Sequence, residues 1–176
     1  MTGATRAAGA GDAQFRQDLL AVVPALRAFA RLLVSNRDLA DDVVQEALVK
    51  AWAARASFEP GTNFKAWMFR ILRNHYFTLA KRERRVTSLD PEVAERTLVS
   101  GAGQEGPLHL QDLERGMEQL PAEQREVLLL FGVNGMSYEQ IAEVTGVPIG
   151  TVRSRLSRGR SALERYMNGT EPPTTS

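Results

Sequence analysis

The sequence predicts an all-α protein: two small helical domains joined by a flexible linker, the second carrying a helix-turn-helix. Three observations predict it. Apolar residues recur at helical spacing over 15–85 and again over 109–167, and no alternating strand pattern is present. Between those stretches, 86–108 turns polar, net acidic and Gly- and Pro-bearing (TSLDPEVAERTLVSGAGQEGP), the character of a linker. Finally, SYEQIAEVTGVPIGTVRSRLSRGR, Ser137 to Arg160, reads as a capped helix, a tight turn and an arginine-rich second helix.

The elements follow in order. The Gly/Ala-rich start, residues 1–12, is expected to be disordered, and the first domain then covers 13–85. Leu19, Leu20, Val23, Leu26, Phe29, Ala30 and Leu33 share one apolar face, with Pro24 predicting a kink or a boundary. A second helix opens at Asp38 and runs to about Ala54, and a third runs from about Asn63 to Arg85. Within the linker, PEVAERTLV has room for a short helical turn. The second domain, 109–167, begins with the stripe Leu110, Leu113, Met117 and Leu120, ended by Pro121. Ala122 to about Val133 forms a helix with Leu128, Leu129 and Phe131, closed by Asn134-Gly135. The tail 168–176 is expected to be disordered, and its Asn168-Gly-Thr170 sequon is a chance match.

Composition excludes several function classes. There is no cysteine, so no disulfide framework or thiolate metal site, and His75 and His109 do not make a metal site; no cofactor is expected. No long uncharged apolar run is present, and MTGATRAAGAGD lacks the apolar core of a signal peptide, so a cytoplasmic protein with no membrane partner is expected. No catalytic constellation appears: Asp41 and Asp42 are adjacent and cannot share a helix face as an acid/base pair, so no enzyme is expected.

The net charge of +1 hides a segregated pattern. Glu59–Arg85 holds seven basic and two acidic residues, a net +5; His109–Pro148 holds two and seven, a net −5; Ile149–Asn168 holds five and one, a net +4. Two separate basic blocks are the footprint of a polyanion binder with two contact sites.

In the second block, Ser137 and Gln140 make a capping box, Gly146 supplies the turn, and Pro148 stands where the next helix starts. At about 100° per residue, Val152, Leu156 and Leu163 fall on one side with Gly159 between them. Ser154, Ser157 and Ser161 fall opposite, flanked by Gly150, Arg153 and Arg158. Hydroxyls and bidentate guanidinium groups suit base edges in the major groove. Arg155 and Arg160, on the flanks, suit phosphates. The alternative is an amphipathic helix with a solvated basic face.

In the first block, Phe64, Trp67, Met68, Ile71, Leu72 and Leu79 form an apolar face, and the other face interleaves Phe69, Arg70, Arg73, Tyr76, Phe77 and Arg84. Aromatics that stack on unpaired bases, beside arginines that hold the backbone, suit single-stranded nucleic acid. Asn74 stands at the edge, where its amide would read an extruded base, with the loop Phe58–Asn63 closing over it. The alternative is a central bundle helix buried all round, with Phe69 and Phe77 in the core. On the helix from Asp38, the outward face of Asp42, Gln45, Glu46 and Val49 fits a protein partner better than DNA, or is simply solvated.

DLADDVVQEALVKAW, SFEPGTNFKAWMFRILRNH, LPAEQREVLLL and SYEQIAEVTGVPIGTVRSRLSRGRSAL together resemble the extracytoplasmic function (ECF) group of bacterial sigma factors, over about 14–85 and 109–167. The resemblance implies a promoter-recognition subunit of RNA polymerase, monomeric alone. By position, Asp41, Asp42, Gln45 and Glu46 match the segment that docks on the β′ clamp helices of the polymerase core, which also offers its β subunit. Asn74 and the loop from Phe58 through Asn63 to Phe64 match the pocket for an extruded base of the −10 element, and Arg70 and Arg73 would hold the melted strand. Thr151, Arg153, Ser154, Ser157 and Arg158 match positions that read the −35 element, with Arg155 beside them. The linker would thread toward the RNA exit channel. FKAWMFRILRNHYFTLAKRERR is similar to the general-stress (EcfG-type) subgroup, which implies a NepR-type anti-sigma factor holding both domains closed until a response regulator with a sigma-like domain releases it. Glu59 departs from the family pattern, where the pocket loop is usually basic or polar.

Two rival readings are a sigma-mimic module that only binds an anti-sigma factor, and a free-standing helix-turn-helix regulator that dimerises. The mimic would not need Arg153, Arg155 and Arg158, and no receiver domain is present.

Overall fold

The computed structural model describes the backbone of residues 3–89 and 108–169, and side chains within 11–87 and 110–169. The order is α1 Gly3–Leu33, α2 Arg37–Ala53, a short 3₁₀ turn Arg55–Ser57, α3 Phe64–Leu89, α4 Leu108–Glu118, α5 Ala122–Leu128, a wide π turn Leu129–Val133, α6 Tyr138–Thr145 and α7 Ile149–Met167. The expected linker turn in PEVAERTLV lies outside the described residues, as does the tail from Thr170.

Helix α1 starts at Gly3, ten residues before the expected domain start at 13. Four of the ten residues from Gly3 to Asp12 are alanine, the best helix former, beside three glycines, and the Asp12 carboxylate ties the stretch to Arg55 at 3.1 Å. Nor does Pro24 break the helix. Proline inside a helix costs about 3 kcal/mol, but Pro24 is exposed while Val22, Leu26 and Phe29 around it are buried. Each buried side chain of that size returns roughly 1.5–3 kcal/mol. The inward face therefore runs through Phe15, Leu19, Val22, Leu26, Phe29 and Leu33, whereas Leu20 is 67% exposed.

Asn36 caps α2 by accepting from the Leu39 amide at 3.1 Å. Its apolar side, Val43, Val44, Ala47 and Ala51, packs with α1 and with Met68, Phe69 and Leu72 of α3. Phe69, a candidate for base stacking, is fully buried and meets Phe29 edge-on with ring centroids 5.1 Å apart. For that residue the buried-bundle alternative holds. Phe77 is half-buried under the Arg73 guanidinium, 4.6 Å from its ring centre. Helix α3 runs four residues past Arg85, to Leu89.

In the second half, Met117, Leu120, Val127, Leu129, Leu130, Ile141, Val144, Val152 and Leu156 are buried, while Leu110 at the start of the predicted stripe is 44% exposed. Gly159 lets α7 lie against α5: a Cβ there would sit 2.9 Å from Leu128 Cδ1. The helix predicted over Ala122–Val133 keeps its extent but widens after Leu128, where the Asn134 side chain donates to the Leu129 carbonyl at 3.0 Å.

The two halves pack together. Helix α3 lies along α6, and the end of α1 meets α5 and the wide turn. Buried Arg125 donates across the junction to the Leu33 carbonyl at 2.8 Å, and Lys65 donates to the Asn134 carbonyl at 3.0 Å. The apolar cores of the halves form one continuous cluster.

Candidate nucleic-acid interface

The helix-turn-helix is built as its residues require. The Gln140 amide donates to Ser137 Oγ at 3.2 Å, and the Ser137 amide donates to Gln140 Oε1 at 2.9 Å. This reciprocal pair satisfies two N–H groups that the helix itself leaves open. The same serine, together with backbone hydrogen bonding at Glu139, holds the exposed Glu139 carboxyl below the usual range, the backbone bond being the larger cause. Gly146 ends α6 in the left-handed conformation, φ 72°. Pro148 is the N-cap of α7, one position before its first helical residue, Ile149.

On α7 the predicted phase is observed. Val152, Leu156 and Gly159 are buried, Leu163 is partly buried, and Arg153, Ser154, Ser157, Arg158 and Ser161 are exposed. Thr151 is half-buried at the first turn. The Arg158 side chain folds back along the helix, donating to the Ser154 carbonyl and to Ser154 Oγ, both at 3.2 Å. Arg153 lies 5.8 Å from the Tyr138 ring centre and Arg160 4.9 Å from that of Phe131. Arg155 departs from the expectation. It is half-buried, and its Nη1 is sealed from solvent without a hydrogen-bond partner. Leaving a guanidinium N–H unsatisfied in this way is costly.

The loop after the 3₁₀ turn and the start of α3 bound a cleft of about 340 Å³ lined by Ser57, Glu59, Thr62, Asn63, Ala66, Trp67 and Arg70 from the first half. Glu143 of α6 closes it from the second half. Asn63 caps α3, accepting from the Ala66 amide at 3.0 Å, and Thr62 Oγ1 donates to the Glu59 carbonyl at 2.7 Å, so the loop is internally bonded. Phe58 and Phe64 do not line the cleft. They pack edge-on against each other at 5.1 Å and against Phe15 of α1, at 6.2 and 5.3 Å, bracing the loop from behind with Trp67. Asn74 is exposed and accepts from Arg73 Nη1 at 3.3 Å.

Arg73 turns toward the second half. Its Nε donates to Glu126 Oε1 at 2.5 Å and its Nη2 to Oε2 at 3.4 Å, a two-pronged pair between the halves. Burial pushes the Glu126 carboxyl above its usual range; the hydrogen bond and charge of Arg73, and then the charge of Arg155, pull it partly back. Arg125 is pushed down by its burial, and the carbonyls of Leu33, Glu118 and Leu120 accept its hydrogen bonds. Sequence reasoning passed over Phe15, Arg125, Glu126 and Glu143. A signal for the two glutamates was present: the −5 segment and the +5 block are complementary, and the structure lays one on the other.

A separate exposed face lies on α2, where Asp41, Asp42, Gln45, Glu46 and Val49 all face solvent, Val49 at 62%. Asp41 approaches Arg31 at 3.9 Å, a weak surface contact. Beside this face the Lys50 ammonium donates to His75 Nδ1 at 2.9 Å. Burial and then the Lys50 charge keep the His75 pKa below 6.5, while Glu46 acts the other way. Among the described residues no acidic or histidine cluster fits a metal ion, and no helix is long and apolar enough to cross a membrane.

Known proteins share this arrangement. Residues 20–86 match the family model "Sigma-70 region 2" and residues 110–163 match "Sigma-70, region 4". The chain is 45% identical over 159 residues to the ECF RNA polymerase sigma factor EcfG of Rhodopseudomonas palustris, covering 89% of this chain and 87% of that protein. It is 36% identical over 135 residues to the ECF RNA polymerase sigma-E factor of Escherichia coli, covering 70% of this chain and 71% of that one. Among solved structures, the sigma factor RpoE in complex with the anti-sigma factor NepR from Bartonella quintana superposes with a TM-score of 0.81 at 41% identity, over 90% of this chain and 99% of that one. With both regions present in order, on a matching fold, the chain belongs to the extracytoplasmic function family of RNA polymerase sigma factors, of the EcfG type.

Proposed function

We propose that this sigma factor reads promoters through two surfaces, one on each half. The outward side of α7, with Thr151, Arg153, Ser154, Ser157 and Arg158, enters the major groove of the −35 element. Ser154 and Arg158 supply a hydroxyl and a guanidinium already aligned on one helix face. The cleft at Asn63 and Arg70 takes an extruded base of the −10 element, with Asn74 at its edge and Arg73 on the strand backbone. Phe58 and Phe64 serve the loop rather than the base. Arg155, half-buried on α7, serves inside the protein rather than on phosphate in this reading, which its burial supports.

The exposed acidic side of α2, at Asp41, Asp42, Gln45 and Glu46, docks on the β′ clamp helices of the polymerase core. A NepR-type anti-sigma factor is the proposed inhibitor, supported by the likeness to the RpoE chain of the NepR complex. A transcription regulator of this kind works in the cytoplasm, where its polymerase is, and needs no cofactor. The match to both sigma regions favours this reading over a free-standing helix-turn-helix regulator.

The observation that carries the proposal is the exposed Arg153–Arg158 face of a correctly capped helix-turn-helix, paired in one chain with a loop-bounded cleft on a second basic helix. In vitro transcription with purified core polymerase, on promoters carrying GGAAC-like −35 elements, tests it. Start-site-specific transcripts that depend on this protein are expected; absence of both transcripts and core binding would overturn it.

A further inference from the structure

The junction between the halves uses Arg73, a residue assigned above to the promoter strand. Its guanidinium is two-pronged on Glu126, whose side chain is 0% exposed against 17% for Arg73. Both carboxylate oxygens are thereby engaged by α3. A second guanidinium, Arg155 of α7, acts on the same carboxylate as an attractive charge, yet its buried Nη1 has no hydrogen-bond partner. Glu123, on the same helix as Glu126, acts on it as a like charge. Helix α5, which packs against α7, therefore carries a buried carboxylate that is fully bonded to the guanidinium from the other half, while Arg155 of its own half keeps an unpaired Nη1. Nearby, Glu143 of the second half lines the same cleft as Arg70.

We propose that Glu126 is an exchangeable partner: it holds Arg73 while the halves are closed and turns to Arg155 when a phosphate of the promoter strand takes Arg73. The inference rests on the strand role proposed for Arg73. Its physical basis is satisfaction of buried charge. Simple separation of the halves would strip Glu126 of both hydrogen bonds and leave its carboxylate to find another donor. With Arg155 on the adjoining helix α7, the carboxylate exchanges one charge-assisted bond for another and the orphaned Nη1 gains an acceptor. Arg73 likewise exchanges one anion for another. Closure and strand binding draw on the same guanidinium and exclude each other, so the closed protein hides its melting surface without any partner.

The test needs neither polymerase nor promoter. The chain contains no cysteine, so spin labels at Gln17→Cys and Ser161→Cys, both exposed and neither among the residues assigned to strand, −35 or core contacts, report the spacing of the halves in the full-length protein. Pulsed electron paramagnetic resonance through a KCl titration gives the closed-to-open ratio. Arg73→Gln is expected to lower that ratio about tenfold, the worth of a charge-assisted bond. Arg155→Gln is expected to raise it comparably, because the open state loses its replacement bond, and Arg155→Lys, which keeps a donor, to return it toward the background. Helical circular dichroism confirms that each variant is folded. The inference is overturned if Arg155→Gln leaves the ratio unchanged or lowers it, if the background is open at low salt, or if no open population appears even in Arg73→Gln. The transcription assay fails or succeeds independently of these distances.

Discussion

Phe15 meets Phe64 edge-on, with ring centroids 5.3 Å apart and planes at 87°. One ring belongs to the first helix and the other to the first residue of α3, where the cleft loop ends. Phe15 also touches Trp52, Phe58 and Trp67, so a single side chain from α1 supports the loop and the cleft wall together. Removing it takes a buried aromatic out of this cluster, a change worth about 3–5 kcal/mol. Phe15→Ala is therefore expected to lower the melting temperature. In an assay that reacts unpaired thymines in the −10 element, it is expected to reduce opening more than −35 binding. Equal losses in both would show that the ring stabilises the fold without serving the loop.

Gly146 occupies a left-handed backbone position, φ 72°, with open space around its missing Cβ. Substitution there meets no clash, so backbone strain decides the outcome. Gly146→Ala is expected to cost about 1–2 kcal/mol, read as a lower denaturant midpoint at unchanged slope.

His75 accepts from the Lys50 ammonium only while Nδ1 is unprotonated. Its pKa is depressed relative to the unfolded chain, by burial first and by Lys50 second. A depressed group stabilises the fold above its unfolded pKa of 6.5, and that contribution is lost as pH falls through the lower folded value. NMR titration should place the His75 ring below 6.5, and Lys50→Met should raise it only partway, since burial remains.

Arg158 is exposed and aligned by Ser154. Arg158→Ala is expected to cost about 1–3 kcal/mol at one −35 position and to relax preference there. Binding measured across a set of single-base promoter variants checks it; a uniform loss would identify a phosphate contact.

Asp42 lies on the exposed side of α2 and has no part in the core. Asp42→Arg is expected to leave the melting temperature within about 0.5 kcal/mol of stability and to weaken binding to core polymerase. Unchanged affinity would return this face to solvent.

Much of this protein was legible in its residues because the signals were local. Ser137, Gln140 and Gly146 specify a helix start and stop within one turn of themselves, and both appeared as read. The phase of α7 followed from Val152 and Leu156, which placed Ser154, Ser157 and Arg158 outward. The exposed face of α2 followed in the same way. Errors arose where a neighbour outweighed a local preference. Of the kink or boundary read at Pro24, the boundary does not occur, because the core grips Val22, Leu26 and Phe29 around it. Periodicity cannot tell a base-stacking aromatic from a packed one, and Phe29 claims Phe69.

By itself, then, the sequence determined the all-helical class, the capped helix-turn-helix, the two basic blocks and the family. Each of these is written in spacings of seven residues or fewer, or in charge counted along the chain. Only the tertiary structure decided that Phe58 and Phe64 brace the cleft, that Arg155 faces inward, and that Arg73 is held by Glu126, 53 positions away. Those outcomes depend on which helices meet, and a buried charge takes its partner from whatever element packs against it, at any distance along the chain.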